Sequence, residues 1–142
     1  MKIENDIGQL QAKIREFGKG IEVEANELTK ENAKELLTNI IDRNPVDTGR
    51  SRAAWVESLE KLGGAPPPGW QGATAEKAAI EEGRKLSKLE IKEKSVSFSS
   101  AVEYIQTLEY GTTQRAAFQM VRNSIRWMAA RIRRRRKNQQ KK

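Results

Sequence analysis

The distribution of charge along this chain of 142 residues is the feature that most limits how it can fold. The last acidic residue is Glu109, and eleven Lys and Arg residues follow between Arg115 and Lys142. The first 114 residues carry a net charge of −3, so the whole surplus of +8 comes from the C-terminal segment. Such a block of one charge sign is typical of a segment that engages something outside its own chain.

The basic segment cannot be packed inside the chain, because a helix through it would carry charge on every side. We therefore expect one domain in residues 1–130 and a basic extension in residues 131–142. Three roles remain open for the extension: contact with duplex DNA through phosphates, contact with an acidic protein surface, or solubilisation without a fixed partner. The candidate contact residues are Arg131, Arg133, Arg134, Arg135, Arg136 and Lys137.

The chain contains neither Cys nor His. This excludes disulfides, thiolate or imidazole metal sites and any nucleophile paired with a histidine. No glycine-rich phosphate-binding motif is present, so we expect no catalytic residues, no metal, no cofactor and no enzymatic activity. Hydrophobic residues make up only 37% of the chain, which predicts a thin core that is completed against neighbouring subunits.

The N-terminal residues carry acids and lack the apolar stretch of a signal peptide. No apolar run approaches the roughly 20 residues that a membrane-spanning helix needs. We therefore expect a soluble protein that is made in the cytoplasm and makes no membrane contact.

Hydrophobic spacing predicts two helices in the N-terminal third. Apolar residues recur every three or four positions at Ile3, Ile7, Leu10, Ile14, Phe17 and Ile21. A second helix is expected from about residue 21 to residue 43. It should end there because Pro45 pushes Asn44 out of the helical region.

The rest of the chain predicts shorter elements. We expect a strand at 51–59, a helix capped by Thr74 that ends near residue 86, and an antiparallel hairpin at 89–99. A short helix at 101–110 and a last helix from about residue 114 follow, with Phe118 on the apolar stripe of the latter. The expected fold is α+β: long N- and C-terminal helices on a small antiparallel sheet of three or four strands, with a Pro/Gly-rich loop insertion.

The loop at 63–69, Gly-Gly-Ala-Pro-Pro-Pro-Gly, can join neither a helix nor a central strand. Loops of this kind lie at surfaces or interfaces. The candidate inter-subunit contacts are therefore Pro66, Pro67, Pro68 and the adjoining Trp70.

Two stretches carry most of the information about identity. The first, residues 44–55, reads Asn-Pro-Val-Asp-Thr-Gly-Arg-Ser-Arg-Ala-Ala-Trp, and the second, residues 102–112, reads Val-Glu-Tyr-Ile-Gln-Thr-Leu-Glu-Tyr-Gly-Thr. Their order and spacing resemble the tail-completion (neck) family of long-tailed bacteriophages. The residues that carry the resemblance are Pro45, Val46, Asp47, Thr48, Gly49, Arg50, Arg52, Trp55, Tyr104, Leu108, Glu109, Tyr110, Gly111 and Thr112.

Local chemistry assigns structural roles to these motifs. Asp47 and Thr48 carry short side chains that can bond backbone N–H groups beyond a helix end, and Gly49 can take a positive φ. On the expected strand, Arg50 and Arg52 would share one face, and Glu109 is the expected salt-bridge partner of either.

The resemblance implies a structural virion protein of the phage neck. It would form a ring, expected to be a hexamer, that completes the tail and joins the head connector to the tail tube, with genomic DNA in its channel. Two alternatives remain open: a tail terminator that caps the tube, and a basic nucleic-acid-binding protein. The arginine-rich extension past Met128 is not part of the pattern that the resemblance covers.

Overall fold

The computed structural model describes residues 2–4, 11–17, 20–26, 30–92, 95–102, 105–111 and 117–140. These residues form an α+β fold with five strands and five helices. The strands are β1 (Lys2–Glu4), β2 (Gln11–Phe17), β3 (Gly20–Asn26), β4 (Ser87–Ile91) and β5 (Ser95–Ser100). The helices are α1 (Lys30–Arg43), α2 (Arg50–Lys61), α3 (Lys77–Lys85), α4 (Ile105–Tyr110) and α5 (Met120–Gln140).

The five strands form one antiparallel sheet in the order β1-β2-β3-β5-β4. Phe98 on β5 lies opposite Val23 on β3 and Leu89 on β4. Val23 and Phe98 are buried, so this face of the sheet meets the helices. The α+β class and the antiparallel sheet are confirmed, although the sheet has more strands than expected.

The predicted N-terminal helix is wrong within the described residues, because β1, β2 and β3 occupy this region. In β3 the apolar residues Ile21, Val23 and Ala25 alternate with polar ones, which is the period of a strand. That alternation outweighs the helical spacing once β5 pairs with β3. Ile7 and Leu10 of the predicted stripe lie outside the described residues. The following helix, α1, ends at Arg43 as expected. Its predicted start near residue 21 is wrong, because α1 begins at Lys30 and residues 20–26 form β3.

The predicted strand at 51–59 is also wrong, because these residues lie in α2. This helix is buried on most of its circumference, including Ala53, Ala54, Val56 and Ser58. The residues at 51, 54, 55, 58 and 59 are buried and recur at helical spacing, but two of them are serines, which weakens the hydrophobic signal of a helix in the sequence.

The remaining elements follow the predictions more closely. The hairpin of β4 and β5 and the short helix α4 are confirmed. Helix α3 starts at Lys77 with Glu76 as its N-cap residue, so Thr74 is not the cap. Helix α5 starts later than expected and runs without a break through residue 131, where the basic extension was predicted to begin.

The core lies between the sheet and helices α1, α2 and α5. At its centre Trp55 of α2 meets Phe98 of β5 edge-to-face, with ring centroids 6.3 Å apart. Helix α3 packs closely on α2 at Gly83, where a Cβ atom would lie 2.1 Å from the carbonyl oxygen of Arg50. None of the described helices is both long and apolar enough to span a membrane.

Candidate functional site

The first motif forms the connection between α1 and α2. The N–H of Asn44 donates to the carbonyl oxygen of Ile40 at 2.9 Å and closes the last turn of α1. Gly49 precedes α2 with φ +91°, so the predicted positive φ is confirmed, although it leads into a helix. A Cβ atom at Gly49 would lie 2.9 Å from Cγ1 of Ile80, which leaves no room for a larger residue. Glycine is thus favoured at position 49 both by the positive φ and by the steric contact that a Cβ atom would make with Ile80.

Polar contacts inside this turn fix its shape. The buried Asn44 amide donates to the carbonyl oxygen of Pro45 at 2.8 Å and to Oγ of Ser51 at 3.0 Å. Arg52 Nε donates to the carbonyl oxygen of Asn44 at 2.6 Å, and its Nη1 donates to that of Trp70 at 3.1 Å. Desolvation lowers the pKa of Arg52, and the charge of Asp42 opposes that shift. This side chain therefore acts as an internal brace rather than as a free cation.

Asp47 and Thr48 join the turn to the segment before α3. The Thr74 hydroxyl donates to the carbonyl oxygen of Asp47 at 2.7 Å and to its Oδ1 at 3.2 Å. The N–H of Glu76 donates to the carbonyl oxygen of Thr48 at 2.9 Å. The predicted bonds from these side chains to backbone N–H groups are absent from the described contacts, because the segment around Thr74 lies against the turn.

The predicted salt bridge between Glu109 and Arg50 or Arg52 is wrong. Arg50 instead pairs with Glu82 of α3, with Nη2 2.8 Å from Oε1. The reason is the helical conformation of α2, which turns two residues in i and i+2 positions to different sides. A strand would have kept them on one face.

Glu109 of the second motif binds the N-terminus of α5. Its side chain is fully buried, and its carboxylate accepts from the N–H groups of Val121 at 2.8 Å and Arg122 at 3.0 Å. Arg122 Nε also donates to it at 2.8 Å, and the Arg122 guanidinium lies over the ring of Tyr110 at 4.4 Å. A carboxylate at this position satisfies free N–H groups and complements the helix dipole.

The two motifs meet at one cavity. The N–H of Phe118 donates to the carbonyl oxygen of Leu108 at 2.8 Å, which holds Phe118 beside the first motif. Residues 45–52, Leu108 and Phe118 line a cavity of about 400 Å³. Two of the lining side chains are large, apolar and exposed: Val46 at 36% and Phe118 at 45%. The cavity therefore presents an apolar rim on a rigid, hydrogen-bonded turn.

Phe118 was expected on the apolar stripe of the last helix, but it precedes α5, which starts at Met120. Gln119 has φ +52°, and this turn separates Phe118 from the helix. The positive φ of Gln119 has no signal in the sequence, because glutamine rarely adopts it.

Trp70 does not have the exposure expected of an inter-subunit contact, because it is only 6% exposed within the single chain. Arg84 lies over its ring at 5.7 Å and forms ion pairs with Glu57 at 2.7 Å and Glu60 at 3.0 Å. Burial alone would lower the pKa of Arg84, but its bonds to the two carboxylates outweigh burial and raise it. Pro66 and Pro67 are half-buried, and Pro68 is exposed.

The candidate contact residues of α5 differ in whether they pair with a described carboxylate. Arg131 and Arg135 both reach Glu35 of α1, at 3.2 and 3.4 Å, and Arg131 also lies over the ring of Trp127 at 5.2 Å. Arg133, Arg134 and Lys137 are exposed.

Three predicted site residues lie outside what the structure describes. They are Tyr104, Thr112 and the side chain of Arg136. Within the described ranges, no three His, Cys, Asp or Glu side chains are grouped so that they could hold a metal ion.

Comparison with known proteins places these motifs in a family. The family model described as "Bacteriophage HK97-gp10, putative tail-component" matches residues 8–111, more than two thirds of the chain. Searches of curated proteins and of solved structures gave no match. The match includes the first motif, the second motif up to Gly111, and the helices and hairpin between them. The chain therefore belongs to the HK97-gp10-like family of bacteriophage tail components.

Proposed function

We propose that this tail component is a structural protein of the phage neck. It forms a ring that completes the tail and joins the head connector to the tail tube, without enzymatic activity. It is made in the host cytoplasm and resides in the virion, where its partners are its own copies, the tail tube or terminator, and the head connector. Family membership supports the general role, and the cavity between the two motifs supports the assembly role.

The observation that carries this proposal is the apolar rim of the cavity. Val46 and Phe118 are exposed although full burial of such a side chain stabilises by about 1.5–3 kcal/mol. The turn that carries Val46 is braced by Asn44, Arg52 and Thr74. The N–H of Phe118 is bonded to the carbonyl oxygen of Leu108, so both parts of the rim are held by bonds within the subunit. A preformed concave site with apolar anchors loses little entropy on binding.

The partner that we propose for the cavity is the β4–β5 hairpin of the next subunit. Among the described residues, the exposed large hydrophobic side chains are Val46, Phe118 and Ile91. Ile91 is 47% exposed and lies at the end of β4, on an element that does not line the cavity. Two different surfaces that fit each other give a head-to-tail interface, and such interfaces close into rings when the rotation permits. We propose six subunits.

Engineered cysteines can test this interface without interference, because the chain has none of its own. We propose the double variant Val46→Cys/Ile91→Cys, oxidised with and without tail tubes and analysed on non-reducing gels. A covalent ladder that ends at six subunits is expected, since a disulfide requires the two Cα atoms within about 7 Å. The single variants should give no ladder. If the double variant stays monomeric even on tubes, the proposed interface is wrong.

The phenotype of a phage that lacks this protein distinguishes a completion protein from a tail terminator. Loss of a terminator gives overlong tails, whereas loss of a completion protein gives tails of normal length that do not join heads. Electron microscopy of the knockout lysate measures both tail length and attachment. We expect normal, unattached tails, and overlong tails would contradict the proposed role.

A further inference from the structure

Helix α5 presents two different sides to its surroundings. One side faces the core and contains Met120, Val121, Ser124, Ile125, Met128 and Ala129. At about 100° per residue, Arg131 and Arg135 continue this side toward the C-terminus, where they pair with Glu35 of α1. The opposite side is exposed, and its members are Arg126, Ala130, Arg133, Arg134 and Lys137. We call the four cations Arg126, Arg133, Arg134 and Lys137 the basic stripe.

The basic stripe is not neutralised within the described part of the chain. Arg133, Arg134 and Lys137 have no described carboxylate within 4.0 Å. Arg126 contacts only amide oxygens, of Asn123 at 3.2 Å and Gln119 at 3.4 Å. By contrast, Arg122, Arg131 and Arg135 of the same helix each reach a carboxylate. The fold thus pairs the cations that lie beside Glu109 and Glu35, and leaves those of the stripe without a described carboxylate partner.

The stripe has the dimensions of a linear contact. At about 100° per residue its four side chains fall within an arc of about 100°, and they span about 16 Å along the helix axis. Duplex DNA carries one negative charge per about 1.7 Å of its axis, so that length faces roughly nine phosphate charges. Three of the four cations are arginines, whose planar fork bonds phosphate oxygens in pairs.

The composition of the stripe favours nucleic acid over a protein partner. Apart from the cations, its described member is Ala130, so no large apolar side chain lies on it. The centre of a protein interface is depleted in charge and enriched in aromatic residues, and Trp127 is instead engaged by Arg131. Contacts to a phosphate backbone need charge and no apolar anchor.

We infer that the basic stripe of α5 binds the phosphate backbone of duplex DNA without reading its sequence. The family match ends at residue 111, before α5 begins, so the family does not assign this role. The identification of this DNA as the phage genome inside a neck channel rests on the proposed function. The binding itself is a property of the single chain.

The inference is tested by fluorescence anisotropy with a labelled 20-base-pair duplex of arbitrary sequence, titrated between about 50 and 200 mM salt, the range in which phosphate contacts lose affinity steeply. The stripe variant is Arg133→Gln/Arg134→Gln/Lys137→Gln. The control is Lys61→Gln/Lys77→Gln/Lys85→Gln, which replaces three exposed lysines of α2 and α3. Each variant removes three positive charges and lowers the formal net charge from +8 to +5. Far-UV circular dichroism checks that both variants remain folded.

We expect the wild type to bind with a steep salt dependence and the control to bind like the wild type. The stripe variant should lose at least about tenfold in affinity at 100 mM salt, and the slope of log K against log salt should flatten by about three. Equal losses of affinity in both variants would show that duplex binding depends only on the net charge of the protein, and this would overturn the inference. Binding of poly-glutamate but not of duplex by the wild type would overturn it in favour of an acidic protein partner.

Failure of this inference is distinguishable from failure of the proposed function. The stripe variant keeps Val46, Ile91 and Phe118, so ring formation and cross-linking do not depend on the stripe. A ring that forms but does not bind duplex overturns only the DNA contact. A chain that binds duplex but never forms rings on tubes overturns only the neck role.

Discussion

Glu109 and Arg122 are joined by three hydrogen bonds that tie the second motif to the start of α5. The backbone N–H of Arg122 donates to Oε1 of Glu109 at 3.0 Å, and its Nε donates to the same oxygen at 2.8 Å. Its Nη2 donates to the carbonyl oxygen of Glu109. The same carboxylate accepts from the N–H of Val121, so one buried residue orients the helix that carries the basic stripe.

Replacing Glu109 with Ala should therefore cost about 3–5 kcal/mol of unfolding free energy, because Arg122 and the helix N-terminus lose their buried partner. The control is Glu82→Ala, which breaks the exposed ion pair to Arg50 and should cost less than about 1 kcal/mol. Urea unfolding followed by circular dichroism measures both. Similar losses in the two variants would show that the buried carboxylate does not hold the helix.

Trp55 is the largest fully buried side chain among the described residues, and its indole nitrogen has no described hydrogen-bond partner. Trp55→Ala should destabilise by about 3–5 kcal/mol through the cavity it leaves. Trp55→Phe should cost only about 1–2 kcal/mol, because a buried unpaired donor, itself worth about 1–3 kcal/mol, is removed together with part of the ring. Denaturant titration of both variants checks this, and equal losses would contradict it.

Gly49 and Gly69 provide a matched pair for the turn of the first motif. Both have positive φ, at +91° and +75°, but only at Gly49 would a Cβ atom meet a neighbour, Ile80. Gly69→Ala should cost about 1 kcal/mol for the backbone alone. Gly49→Ala should cost about 2–3 kcal/mol because overpacking is added.

A double variant separates the steric cost of a Cβ atom at Gly49 from the cost of the backbone conformation. Ile80→Ala removes the side chain that a Cβ atom at Gly49 would strike. Gly49→Ala combined with Ile80→Ala should then cost less than the sum of the two single variants. Strictly additive losses in denaturant titrations would mean that the backbone conformation alone explains the need for glycine.

Phe118 should matter more for assembly than for the stability of the free subunit. Because the Phe118 side chain is already 45% exposed, we expect Phe118→Glu to lower the unfolding free energy by no more than about 1.5 kcal/mol. Ring formation on tail tubes, measured by native mass spectrometry or electron microscopy, should be lost. The control Ala78→Glu places the same charge on the exposed face of α3 and should assemble normally. Normal rings from Phe118→Glu would contradict the docking role of the cavity.

Among the described side chains of the C-terminal segment, Arg131, Ile132 and Arg135 contact the rest of the chain. Deletion of residues 131–142 removes Ile132, which packs against the core, and both ion pairs to Glu35, and should cost about 1–2 kcal/mol. Deletion of residues 138–142 should change the unfolding free energy by less than about 0.5 kcal/mol. Equal unfolding midpoints of the two truncated proteins in urea would contradict this division.

The candidate site was predictable in its residues but not in its contacts. The first motif identified the turn and the positive φ of Gly49, and the second identified Glu109 as an internal ligand. The partner of Glu109 was assigned to Arg50 or Arg52 because residues 51–59 were interpreted as a strand. The helical α2 sends Arg50 to Glu82 instead. An error in one element therefore changed every contact that depended on its direction.

The sequence by itself determined the features that depend on residues adjacent along the chain. Asn44-Pro45 ends α1, alternation with a short turn forms the β4–β5 hairpin, and the absence of acids after Glu109 makes α5 basic. At residues 20–26 the sequence fits both a helical and a strand period, and the tertiary structure selected the strand, since β3 is held by β5, whose paired residues lie 69 to 79 positions away. It also decided that Phe118 is exposed, that Trp70 is buried, and which arginines reach Glu35. The physical reason is that local preferences act through the adjoining backbone, whereas pairing and burial depend on which surfaces distant segments leave uncovered.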